Sequence, residues 1–138
     1  MSAIVTNIGE EWYSKYAGDG ASVKVGLYND STDSAGKTTD VGDLTTEPSG
    51  GSYAMQSATL ISYSESSDWG PAIGSQVSFN TSDSSQDVDS WFLTATFTSE
   101  EAGDSGDTEH LIATGALSQT RNLAYLDGLN LEAESVGF

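Results

Sequence analysis

The chain has 138 residues, with 21 Asp and Glu against four Lys and Arg, a formal net charge of -17 at neutral pH, and no cysteine. Such a surface repels nucleic-acid phosphates and anionic membranes, and it offers no thiolate for a disulfide, a metal or a nucleophile. The length suits a single domain over 1–138, too short for two independent cores.

Ile4, Ile8, Trp12 and Tyr16 recur at every fourth position, which predicts an amphipathic helix within 1–20. Asn7 and Glu10 have the spacing of a capping box. Glu10 and Glu11 lie near the positive end of the dipole, Lys15 near the negative end, and Gly18 and Gly20 stop the helix. A helix of about three turns is marginal alone, so its stripe must be buried. Trp12, Tyr13 and Tyr16 are the expected interface residues, with Ile8 and Trp12 also packing on their own domain.

After Gly20 the pattern changes to alternation. SVKVGLY (22–28) sets Val23, Val25 and Leu27 on one side of a strand. The stretch 29–51 is turn formers and carboxylates, an expected exposed acidic loop with at most a short edge segment near Val41 to Leu44. SYAMQSATLISY (52–63) is the longest expected strand. The turn SSDWGPAIG follows, then strands in SQVSFNT (75–81) and DSWFLTATFTS (89–99). A second acidic loop, 99–108, holds the hairpin EEAGDSGD before the strands TEHLIATGAL (108–117) and LNLEAESVGF (129–138). Six strands joined by Gly, Ser and Asp turns predict a mainly β fold. The expected architecture is a β-sandwich over 21–138, jelly-roll or immunoglobulin-like, preceded by the N-terminal helix. Leu, Ile, Val and Phe fall just under the roughly 20 % level that, with high charge, marks disorder. Three Trp, six Tyr and the alternation argue for a folded chain.

Residues that could do chemistry are few. The single His110 sits in a strand pattern, and no G-x-S-x-G turn supplies a nucleophile, so no catalytic residue is expected. One His without Cys is a poor zinc set. Carboxylate pairs suited to glycoside hydrolysis are too abundant to be informative. DSGDTE (104–109) and NDSTD (29–33) gather oxygen ligands in turns without matching the twelve-residue calcium loop; Asp104, Asp107 and Glu109 are the weak metal candidates. The glycines at 18–20 and 49–51 lack a phosphate-cradling frame, and no cofactor is expected. Asn29-Asp30-Ser31 and Asn80-Thr81-Ser82 are glycosylation sequons by pattern. Trp12, Tyr13, Tyr16, Tyr53, Tyr63, Trp69 and Trp91 could form a sugar-binding face. With aliphatics so sparse, core and subunit interface are the favoured roles.

GGSYAMQSATL (50–60) resembles the Gly-Gly-Ser-Tyr-Ala-Arg-Gln segment of a family of small structural proteins of tailed bacteriophages, variously minor tail, fibre-like or head-decorating. Family members open with a short amphipathic helix, then a strand, then a Thr/Asp/Pro/Gly loop carrying Thr-Glu before that signature. Here NIGEEWYSKYAGDG, VKVGLYNDSTDSAG, LTTEPSGGSYAMQ, VSFNTSD, VDSWFLTATFTS, HLIATGAL and LDGLNLEAESVGF follow the same order across nearly the whole chain. Met55 stands where the family commonly has a basic residue, the loops are more acidic, and the 99–108 hairpin is longer.

Carboxylates this dense suit a molar-salt cytoplasm, where a Debye length of about 3 Å screens their repulsion. With the resemblance, this implies a virion structural protein of a haloarchaeal tailed virus, synthesised in the host cytoplasm. The resemblance further implies a homo-oligomer contacting major capsid or tail proteins, on capsid decoration or turret first and tail or baseplate second. The alternative is a halophilic surface module that binds a glycan or a divalent cation.

Overall fold

Apolar residues at every second position favour pleated strands with one buried face, and among the described residues antiparallel strands predominate. The computed structural model describes residues 4–10, 22–49, 52–58, 60–63, 70–73, 76–80, 86–97, 108–123 and 128–131. In chain order the elements are β1 (Ile4–Val5), α1 (7–10), β2 (Ser22–Tyr28), α2 (Asp30–Asp33), a 3-10 turn (Val41–Asp43), β3 (Gln56–Ser57), β4 (Leu60–Tyr63), β5 (Gly70–Ile73), β6 (Val77–Asn80), β7 (Asp87–Phe97), β8 (Thr108–Asn122) and β9 (Gly128–Leu131).

Five strands form one antiparallel sheet in the order β1-β8-β7-β2-β3, while β4 pairs with β5 and β6 with β9. Both outer strands of the sheet, β1 and β3, have two residues, a device that leaves little edge for another chain to pair with. On one face Val25 and Leu27 of β2, Trp91, Leu93 and Ala95 of β7, and Ile112 and Ala113 of β8 share a core with Val77 and Phe79 of β6 and Leu129 and Leu131 of β9. On the other face a smaller cluster joins Tyr28, Phe92 and Leu111 to Ala35.

Two cross-strand pairs show why glycine interrupts these strands. Gly26 lies opposite Phe92 and Gly115 opposite Trp91. A Cβ at Gly26 would meet the Phe92 ring at 2.3 Å, and one at Gly115 the Trp91 ring at 2.4 Å. Each aromatic ring therefore occupies the space its neighbour leaves.

β8 departs twice from regular pairing with β7. Leu93 faces Ala113 and Thr94 faces Leu111, so Ile112 is an extra residue, and its carbonyl accepts the Thr6 N–H at 2.9 Å. Farther along, Ser90 faces Ala116 and Val88 faces Arg121, which sets 117–120 against the single residue Asp89. Bulges of this kind bend a strand and re-aim its side chains.

Several expectations change. Residues 1–20 do not form one helix: Ile4 and Val5 pair with Thr114 and Ala113 as a strand, so Ile4 is no part of a helical stripe. Helix α1 starts at 7, and its cap is Thr6 rather than Asn7. The Thr6 hydroxyl accepts the Gly9 N–H at 3.0 Å, and the Glu10 N–H bonds the Thr6 carbonyl. Trp12, Tyr13 and Tyr16 lie outside the described residues.

The expected exposed loop 29–51 contains α2, the 3-10 turn and the buried Ala35, and it covers the second face of the sheet. The expected single strand 52–63 is two short ones, β3 and β4, in different sheets. The turn 66–74 holds strand β5, and among the described residues the longest strand is β8.

Candidate functional site

The segment 29–49, hereafter the strap, is held by carboxylates on both sides of its junction with the sheet. Asp89 of β7 accepts the Asp30 N–H at 2.7 Å and the Ser31 hydroxyl at 2.5 Å, and so secures the start of α2. Asp30 Oδ1 accepts the Tyr28 hydroxyl at 2.9 Å and the Ala35 N–H at 2.7 Å. Asp33 braces the arch from inside, accepting the N–H groups and hydroxyls of both Thr45 and Thr46 at 2.5 to 3.1 Å. Asp40 caps the 3-10 turn and reaches β8, where it accepts the Leu111 N–H at 2.9 Å.

These bonds set the protonation behaviour. Burial alone would raise the carboxyls of Asp33, Asp40 and Asp89. In each the hydrogen bonds donated to the ionised form outweigh it, leaving the group below its ordinary value of 3.8: Thr45 and Thr46 for Asp33, the Leu111 amide and His110 for Asp40, and Ser31 and the Asp30 amide for Asp89. Glu47 goes the other way. Burial pushes it above 4.5, the hydrogen bond from Tyr53 lowers it, and the charge of Glu109 adds to the rise.

His110 is 9 % exposed, and its Nδ1 lies 2.9 Å from Asp40 Oδ2. It therefore belongs to the strap–sheet junction. Glu109, of the three weak metal candidates, accepts the Thr94 hydroxyl at 2.9 Å; Asp104 and Asp107 lie outside the described residues. Among the described residues no three His, Cys, Asp or Glu side chains are grouped to hold a metal ion. Asn29, in the first sequon, donates from Nδ2 to the Asp87 carbonyl and has its Oδ1 buried, whereas Asn80 is exposed.

Tyr53 joins three parts of the fold. Its hydroxyl accepts the Leu27 N–H at 2.9 Å and donates to Glu47 at 2.9 Å, while its ring stacks on Phe79 with centroids 6.0 Å apart. It takes over the β2 edge where the two-residue β3, which pairs only with Lys24 and Val25, has ended. Trp91 is 2 % exposed. Of the seven aromatics that could have formed a sugar-binding face, the two with described side chains therefore serve the core.

Concave surface lies where β8 bulges. A cleft of about 320 Å³ runs between α2 and the bulge, lined by Asp30, Ser31, Asp89, Ser90, Leu117 and Gln119 among others. A smaller one of about 140 Å³ adjoins it and shares Asp30, Ser90 and Ala116, with Ile4 and Tyr28 on its wall. His110 lines neither. Both Asp89 oxygens and the Ser31 and Ser90 hydroxyl protons are already engaged with each other or with backbone, so that side of the cleft chiefly offers lone pairs, while Gln119 and Thr120 of β8 line the other side.

Asp40 and Asp89 had no role in the sequence-based expectations. The Asp40-x-x-Asp43 spacing at the head of the turn was the available signal: Asp43 Oδ2 accepts the Asp40 N–H at 2.9 Å, completing a capping box. No protein-family model, curated protein or solved structure matches this chain.

Proposed function

We propose that the chain is a non-enzymatic structural protein of a virion, an oligomeric accessory component on the surface of a haloarchaeal tailed virus. Capsid decoration or turret is favoured, with a tail or baseplate component next. In this proposal the β6–β9 pair faces the five-stranded sheet as part of the second layer of a β-sandwich, within one domain spanning 1–138. The partners are further copies of the chain and major capsid or tail proteins. A charge of -17 suits an exterior position away from packaged DNA.

One observation carries the proposal. Tyr53, the tyrosine of the Gly-Gly-Ser-Tyr signature, is used for architecture, binding Leu27, Glu47 and Phe79. The strap carboxylates and the one histidine are likewise committed to holding the strap on the sheet. A scaffold that presents loops needs this arrangement; a catalytic centre needs such groups accessible to substrate. The test is quantitative mass spectrometry of purified virions. A fixed ratio of this chain to the major capsid or tail protein is expected, and its absence from purified particles refutes the proposal.

The alternative, a surface module for a glycan or a divalent cation, draws on the cleft beside Asp30 and its lone-pair-rich wall. Saturable binding of a sugar or of calcium by the isolated protein, in the absence of any particle association, would favour it.

A further inference from the structure

We propose that the strap is an acid-released latch: residues 29–49 lift as a unit in acid while the sheet and its main core stay folded, uncovering an apolar surface formed by Tyr28, Phe92 and Leu111. The inference stands on the packing of the strap and does not depend on the virion assignment.

The two faces of the sheet carry two separate apolar clusters. The main core joins the sheet to β6 and β9 and contains no strap residue among its buried members. The second cluster has Tyr28, Ala35, Phe92 and Leu111 buried, with Val41, Leu44 and Met55 partly buried against them. So few side chains make a modest hydrophobic contribution, and polar attachments must supply much of what holds the strap down.

Carboxylates dominate those attachments. Asp89 of β7 secures the start of α2, and Asp40 clasps His110 and Leu111 of β8, whereas Asp33 braces the strap internally against Thr45 and Thr46. Beyond them, the Tyr28 hydroxyl donates to Asp30 and the Tyr53 hydroxyl to Glu47, Asn29 Nδ2 donates to the Asp87 carbonyl, the Lys37 carbonyl accepts the Asn7 N–H, and the exposed Lys37 ammonium meets Glu10 at 3.1 Å. A protonated carboxyl is a weaker acceptor and carries a hydrogen that needs a partner of its own, so acid undoes the two main anchors, Asp40 and Asp89, together.

The surrounding charges fix where this happens. Asp89 faces Asp30 and the Tyr28 hydroxyl; Asp40 faces His110 across the junction and Asp43 within the strap; Glu47 faces Tyr53 and Glu109. A protonated His110 pairs more strongly with Asp40, so a charge on the imidazole opposes release. Glu47, held high, protonates first and relieves its repulsion with Glu109, which also opposes release. Asp33, Asp40 and Asp89 are held low, and their bonds are lost only as pH falls through their lowered values, below 3.8.

Hydrogen exchange of the full chain in molar salt tests this, with protection corrected for the intrinsic pH dependence of exchange. Between about pH 7 and about pH 3, protection at Asp30 and Leu111, whose amides bond Asp89 and Asp40 across the strap–sheet junction, is expected to fall at least about tenfold more than at Trp91 to Ala95. Asp89→Asn and Asp40→Asn, each measured separately, are expected to move strap release toward neutral pH. Joint loss of protection in strap and β7 would overturn the proposal, as would a strap that stays protected until the whole chain unfolds. Release centred near pH 6, or an unchanged pH profile in both variants, would overturn it equally.

Discussion

Asp40 bridges the strap to β8, with Oδ2 2.9 Å from His110 Nδ1 and Oδ1 2.9 Å from the Leu111 amide nitrogen. Burial costs this carboxylate, yet the bonds from Leu111, His110 and Val41 leave it below 3.8. A carboxyl held lower in the folded than in the unfolded chain adds stability above the unfolded value, and that stability disappears as pH falls through the folded value. Asp40→Asn should therefore lower the melting temperature at neutral pH, with the gap to the parent closing below 3.8. Thermal melts across pH check the sign; a gap that widens in acid would contradict it.

Glu47 should behave in the opposite sense. Its folded value lies above 4.5, so its charge opposes folding at neutral pH and its protonation favours it. Glu47→Gln keeps an acceptor for the Tyr53 hydroxyl and removes the charge near Glu109. The variant should melt higher than the parent at pH 7 and converge with it as pH falls below 4.5.

The Tyr53 hydroxyl is both acceptor and donor. In Tyr53→Phe the Leu27 N–H and the Glu47 carboxylate each lose a partner while the stacking on Phe79 remains. A buried amide left without an acceptor costs about 1 to 3 kcal/mol, so denaturant titration should show a loss of that order. A variant as stable as the parent would mean that the hydroxyl does not hold the β2 edge.

Gly26→Ala and Gly115→Ala should each destabilise by about 1 to 3 kcal/mol through overpacking. The new methyl group would stand 2.3 Å from Phe92 at the first position and 2.4 Å from Trp91 at the second. Alanine at the exposed Gly42, where the added carbon meets nothing within 4 Å, serves as the control and should be close to neutral.

Salt should matter as much as sequence. Dialysis from about 3 M to about 0.1 M salt lengthens the Debye length roughly fivefold and leaves a chain of charge -17 unscreened. A fall in melting temperature is expected, and an equal melting temperature at the two salt concentrations would contradict it.

The strands were legible where the period of two was strong. Val23, Val25 and Leu27 face the main core as their alternation required, and Val77 with Phe79 do the same in β6. The helix at the front was over-read because Ile4 and Ile8 satisfy a four-residue period while belonging to different elements: Ile4 is drawn into β1 by Thr114, and only Ile8 lies in α1. Local spacing cannot detect a strand partner so far along the chain.

The amino-acid sequence alone determined the acidity, the absence of thiol chemistry, the predominance of β structure and the inward side of its clearest strands. These follow from composition and from neighbours two residues apart. Tertiary structure alone decided that β1 and β3 close the sheet edges and that Ile112 bulges to receive Thr6. It also decided that the acidic loop is a strap clasped by Asp40 across 71 residues of chain. A carboxylate in a turn has the same local pattern whether water or a distant amide satisfies it, and only the folded chain brings that amide within reach.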